Sequence, residues 1–142
     1  METEPKITQA YIAPGTVKLI YRHLLQLGDG SLRTAEASEC AADQSKFWPM
    51  HDTLYRRQSE VYASTDLDTT LAGFASELKL DAGAFGSCMA THKHLQFVQD
   101  DYKAATDAGI QFRPVFDIGS ARLSGALPFS TFQKAIAAAL PK

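Results

Sequence analysis

The sequence predicts an α/β protein, mostly helical, in which a small sheet of about three strands is interrupted by a helical insert. Three observations carry this. Short apolar runs of strand character stand near both ends of the chain, at 17–21 and at 115–124. Between them, from Gly28 to about Ala108, helix starts and stops recur with almost no strand signal. After the second strand region, a last stretch returns to helical spacing.

The elements follow in order. Residues 2 to about 13 read as a short helix beginning abruptly at Met1. Pro5 suits its first turn, Ile7, Tyr11 and Ile12 share a face, and Pro14-Gly15 stops it. Val17-Lys18-Leu19-Ile20-Tyr21, just past that break, suits a largely buried strand. Ser31 is a good N-cap for a helix over Leu32 to Gln44, and Phe47 to Gln58 continues with Phe47, Met50, His51, Leu54 and Tyr55 on one side. Asp66 or Asp68 caps a helix carrying Leu71, Phe74, Ala75 and Leu78. Asp81 caps the next, with Phe85, Cys88 and Met89 inward, and a further helix carrying Leu95, Val98, Tyr102 and Ala105 ends at Gly109. The insert thus has four or five helices. Val115-Phe116-Asp117-Ile118, a Gly119-Ser120 turn and Ala121-Arg122-Leu123-Ser124 read as a β-hairpin. Phe129, Phe132, Ile136 and Leu140 place a final helix over Pro128 to Leu140.

A chain of 142 residues has the length of one domain and buries about 70% of its unfolded surface. Without repeats, low-complexity stretches or linkers, residues 1–142 read as a single domain. Apolar residues make up 45% and charged residues 21%, with a net charge of −2, which removes the electrostatic case for nucleic acid. No apolar run approaches the ~20 residues of a membrane span, and the acidic start Met1-Glu2-Thr3-Glu4-Pro5 is unlike a secretory signal. The sequence leaves the compartment open.

Four stretches resemble the DsbA-like branch of the thioredoxin-fold disulfide oxidoreductases, and together they span nearly all of the chain. They are 17–23 (Val-Lys-Leu-Ile-Tyr-Arg-His), 39–52 (Glu-Cys-Ala-Ala-Asp-Gln-Ser-Lys-Phe-Trp-Pro-Met-His-Asp), 98–110 and Pro114-Val115-Phe116. The Phe47-Trp48-x-Met50-His51-Asp52 segment is the most specific. The resemblance implies an incomplete thioredoxin-like fold, with thioredoxin-like parts at about 1–27 and 109–142 around a helical insert at about 28–108. It also implies that the last strands begin at a proline with a cis peptide bond, a position on which Pro114 falls, and that the backbone before that proline receives extended substrate. Arg113 stands where the family usually has a small residue. Family members usually work outside the cytoplasm.

The family's redox chemistry needs a C-x-x-C pair whose first thiolate sits at a helix N-terminus. This sequence has cysteines only at 40 and 88. On the family pattern, the catalytic pair and two strands would lie upstream of Met1. Cys40, mid-helix in an Ala-rich face, and Cys88, late in another helix, read as small buried hydrophobes. A structural disulfide between packed helices is the alternative, and a redox-active pair a third. Cys88, His92 and His94 follow C-x3-H-x-H and raise a helical metal-binding module as another reading, against the bland one of a polar helix end. Arg113 reads as a packing residue, with an anion-binding spot as alternative. His51 is expected to be architectural, Asp100-Asp101 a solvated helix face, and Gly28-Asp29-Gly30 a loop without the pattern of a phosphate cradle. No metal centre and no cofactor are assigned.

The expectation is therefore a DsbA-like protein without redox turnover, acting as a binding or assembly module. A truncated part of an active oxidoreductase, with its catalytic segment upstream, is the runner-up. A lost central strand would leave sheet edges with unpaired N–H and C=O groups, so the expected partners are a second copy of the chain, joined through those edges, and an extended peptide at Arg113 and Pro114.

Overall fold

Pro5 sits in the first turn of α1 (Glu4–Ile7), where a missing N–H costs nothing. The helix continues as a π-helical turn over Thr8–Ile12. Glu2, where the sequence places the helix start, lies outside residues 3–141, which are the residues this computed structural model describes. From Val17 to Arg22, half-buried and exposed residues alternate, but the segment carries no regular secondary structure. Among the described residues the sheet is a two-stranded hairpin, which corrects the expected count of about three strands. The segment has a strand's side-chain period, but a strand forms only through a ladder with a neighbour.

Helix α2 (Gly28–Ala42) begins three residues before Ser31, so the Gly28-Asp29-Gly30 triplet opens the helix and is not a loop. The expected helix over 47–58 is broken at Arg57 (φ −107, ψ 28) into α3 (Phe47–Arg56) and α4 (Gln58–Ala63). Of the two candidate caps for α5 (Leu67–Glu77), Asp66 takes the role and accepts from the Thr69 N–H at 3.1 Å. Asp81 does the same for α6 (Ala82–Ala90), accepting from the Ala84 N–H. Its own backbone is clamped by the Gln44 amide, which accepts from the Asp81 N–H at 2.7 Å. Helix α7 (Leu95–Asp107) ends just before Gly109, whose φ of +72 is the left-handed conformation that stops helices.

The chain resolves into two compact units, one formed by residues up to Arg22 with those from Thr106 onward, the other by His23–Ala105. In the second unit, Ala37, Cys40, Ala41, Met50, Leu71, Phe74, Ala75, Phe85, Cys88 and Met89 form one apolar core fed by α2, α3, α5 and α6. Small side chains on α2 let its neighbours approach closely. At one margin of this unit His23 is buried, with its N–H donating to Asp101 Oδ2 at 3.1 Å and its Nε2 2.7 Å from Glu39 Oε1. Asp101 is 5% exposed, so the expected solvated Asp100-Asp101 face holds only for Asp100. A carboxylate so placed satisfies a backbone donor that has no helical partner.

In the first unit, β1 (Val115–Ile118) pairs antiparallel with β2 (Ala121–Ser124), with Asp117 opposite Arg122. Gly119 turns the hairpin at φ +58, and a Cβ there would come within 3.0 Å of the Ala139 Cβ. Helix α8 (Phe129–Ala139) follows Pro128 and buries Phe132 and Ile136, the Phe132 ring meeting Phe116 edge to face at 4.9 Å. Across the hairpin Arg122 forks onto Asp117, with Nε to Oδ1 at 2.7 Å and Nη2 to Oδ2 at 2.9 Å. This hydrogen bonding holds the Asp117 carboxyl below its ordinary range. A carboxyl with a depressed folded-state pKa stabilises above its unfolded value, about 3.9, and loses that contribution as pH falls through the folded value. Both side chains are exposed, so the effect is small and salt-sensitive. The melting-temperature difference between the native chain and Asp117→Asn is expected to be present at neutral pH and absent in strong acid. A difference that persists undiminished in acid would mean the pair is not its source.

Candidate functional site

The sequence's chemistry-bearing residues converge at one end of α2 and α6. Cys40 faces inward from the last turns of α2 and Cys88 from α6, their Cα atoms 5.8 Å apart, and the two are joined as a disulfide. The reading of both as unpaired hydrophobes is thereby corrected. The burial it rested on is correct, since Cys40 is 1% and Cys88 7% exposed. What sequence separation conceals is that α2 and α6 cross at these two positions.

The disulfide lies beneath a polar rim. Asp43 is the C-cap of α2, three residues past Cys40. Its Oδ2 accepts from Lys93 Nζ at 2.8 Å and from His94 Nε2 at 3.0 Å, and lies 3.7 Å from Cys88 Sγ. Donation first from Lys93 and then from His94 holds the Asp43 carboxyl below its ordinary range. His94 is carried there by the turn after α6, which is tied back to the helix by the Lys93 N–H donating to the Cys88 carbonyl at 3.1 Å. Cys40, Cys88 and His94 bring two sulfurs and a ring nitrogen within 4.8 Å of one another.

His92 does not join this group, so of the C-x3-H-x-H residues the structure brings together Cys88 and His94 and leaves His92 apart. With φ +51 it turns away, and its Nδ1 meets Glu36 Oε1 at 3.0 Å. Glu36 is 1% exposed on α2 and is also held by Arg33 Nη1 at 2.9 Å, while Arg33 reaches Asp68 at 2.8 Å. Burial opposes the Arg33 charge, but its hydrogen bonds to Asp68 and Glu36 outweigh this and raise its pKa. His51 is 7% exposed, pairs with Asp52 through Nδ1 at 3.1 Å and packs among Phe47, Trp48 and Tyr55. Asp43 is the site residue that sequence reasoning missed. Its signal was its place one helical turn after Cys40.

Arg113 and Pro114, in the other unit, precede β1 and are exposed, and the peptide bond between them is cis. The Pro114 carbonyl accepts from the Gly125 N–H at 2.8 Å, closing the open end of the hairpin.

A family model described as Thioredoxin matches residues 1–138. The solved thioredoxin-like oxidoreductase from Silicibacter pomeroyi has a TM-score of 0.73 at 24% identity, covering 95% of this chain and 76% of its own. Wolbachia pipientis alpha-DsbA1 has a TM-score of 0.80 at 22% identity, covering 96% and 75%. Both likenesses are of fold. Among curated proteins, the Na+/H+ antiporter NhaA 3 of Salinispora tropica is 26% identical over 140 residues, which are 97% of this chain and 21% of the antiporter. The NhaA antiporter of Herminiimonas arsenicoxydans is 31% identical over 109 residues, 77% of this chain and 17% of that protein. The chain therefore spans about a fifth of the length of the curated relatives it matches. With the helical unit set between thioredoxin-like segments and the family model covering all but the last few residues, the chain belongs to the thioredoxin family and has the DsbA-like form of its fold.

Proposed function

We propose that these residues form a DsbA-like binding or assembly module without thiol-disulfide turnover. The observation that carries this reading is the Cys40–Cys88 disulfide, which engages both cysteines of the sequence inside the helical unit. A turnover thiol belongs at a helix N-terminus, where free N–H groups and the macrodipole stabilise the thiolate, and needs a second cysteine one turn away. Neither cysteine meets that requirement. The binding surface in this reading is the strand-like segment 17–21, the outer edge of β1 and the exposed Arg113–Pro114 step. It suits an extended peptide, or the same surface of a second chain, adding through backbone hydrogen bonds.

Insulin reduction by the purified chain is expected to proceed no faster than the uncatalysed reaction, and light scattering after size exclusion to give a dimer. Catalysed turnover would overturn the non-redox reading. A monodisperse monomer would overturn the pairing of edges.

The antiporter matches favour a second reading, in which this domain is one part of a longer polypeptide; on the family resemblance its catalytic thioredoxin segment would lie upstream. Ion transport belongs to those relatives, and among the described residues no helix is long and apolar enough to cross a membrane. An in-frame C-x-x-C encoded shortly before Met1 would establish this reading in place of the first.

A further inference from the structure

We infer that the end of α2 and α6 is a redox-gated metal site: when the Cys40–Cys88 disulfide is reduced, Cys40, Cys88, His94 and Asp43 bind one zinc-like divalent cation. Two thiolates, an imidazole and a carboxylate are the donor set such a cation takes in tetrahedral geometry. A tetrahedral zinc shell with Zn–S of about 2.3 Å and Zn–N or Zn–O of about 2.0 Å sets its donors roughly 3.3–3.8 Å apart. His94 Nε2 is already 3.0 Å from Asp43 Oδ2, and Asp43 Oδ2 is 3.7 Å from Cys88 Sγ. The two sulfurs and the ring nitrogen lie within 4.8 Å of one another. Small side-chain rotations bring them to the required spacing.

The donors are held from two sides. Cys40 and Asp43 come from the last turn of α2, Cys88 and His94 from α6 and the turn stapled to it. A depression over the disulfide, lined by Asp43, Gln44, Ser87, Cys88, Thr91 and Lys93, gives an ion its way in. A sulfur in a disulfide has no proton to donate to Asp43, so the approach of Cys88 to that carboxylate becomes a hydrogen bond or a shared ligand shell only in the reduced state. A disulfide that served only to brace two helices would need no carboxylate, lysine and histidine gathered over it.

The two states exclude each other, because a sulfur–sulfur bond holds the donors closer together than a shared metal allows. A dithiol reductant supplies two electrons and two protons, breaks the Cys40–Cys88 bond to give two thiols, and is itself oxidised to a disulfide. Binding the cation then releases the two thiol protons to solvent and leaves two thiolates on the metal, while the neutral His94 ring moves its proton from Nε2 to Nδ1 so that Nε2 can ligate. This is a stoichiometric switch and requires no turnover, so it stands apart from the module reading.

Cobalt(II) is the probe. The anaerobically reduced chain is expected to take up one equivalent, showing thiolate-to-cobalt charge-transfer and tetrahedral ligand-field bands that zinc abolishes, with two protons released per ion. The oxidised chain should take up none. His94→Ala and Asp43→Asn should each weaken uptake by about tenfold or more, while His92→Ala leaves it unchanged. Helicity lost on reduction and restored by one equivalent of cobalt would also support the site. A reduced chain, folded or unfolded, that binds no cobalt overturns it, as does equal uptake by the oxidised chain or by the His94→Ala variant.

Discussion

Replacing both cysteines, as Cys40→Ala/Cys88→Ala, is expected to cost about 4 kcal/mol of stability. The bridge spans 48 residues, and confining a loop of that length in the unfolded chain removes entropy worth about 4 kcal/mol at room temperature. For a chain of 142 residues, that lowers the melting temperature by roughly 10–20 °C. Two controls isolate the cause. A reductant should lower the melting temperature of the native chain by a similar amount and leave the double variant unmoved. Unfolding by urea should show the loss in the midpoint, with the slope rising because the unfolded state expands once the loop is open. If the reductant shifts neither protein, the bridge is not formed in solution, and both the non-redox reading and the gated metal site lose their footing.

How much of this was legible in the sequence depends on how local the cause is. Asp66 and Asp81 were readable as caps because a cap acts on an N–H three residues away. The hairpin at Val115–Ser124 was readable because its turn and its partner strand are adjacent in sequence. The break at Arg57 was not, since nothing in residues 47–63 forbids one continuous helix. The 17–21 segment failed as a strand for a different reason: its pattern is local, but the state it implies depends on a partner that pattern cannot supply. Asp101 was misjudged because its neighbour Asp100 is solvated as expected, while the donor it serves, the His23 N–H, is 78 residues away. At the cysteine site burial was legible from helical spacing. The crossing of α2 and α6 that joins Cys40 to Cys88 and delivers His94 to Asp43 was not, because it depends on how several helices pack.

Phe74→Ala is expected to destabilise the helical unit by about 3–5 kcal/mol, the range for deleting a fully enclosed aromatic ring. Phe74 is 1% exposed on α5, in the same apolar core as Leu71, Met50 and the two cysteines. One face of its ring carries the Arg57 guanidinium, 4.2 Å from the ring centre, and that guanidinium donates to both Glu60 and Glu77 at 2.6 Å. The ring therefore packs the core and also supports the charge network over the break between α3 and α4. Phe74→Leu should recover most of the loss, because it refills volume without restoring the aromatic face. Adding Phe74→Ala to the double cysteine variant tests whether these groups share one core. Residues in one packed cluster are not independent, so the triple variant should depart from the sum of the separate losses by more than about 0.5 kcal/mol. Strict additivity would mean that the disulfide acts only through the unfolded chain, with no part in holding α2 and α6 against α5.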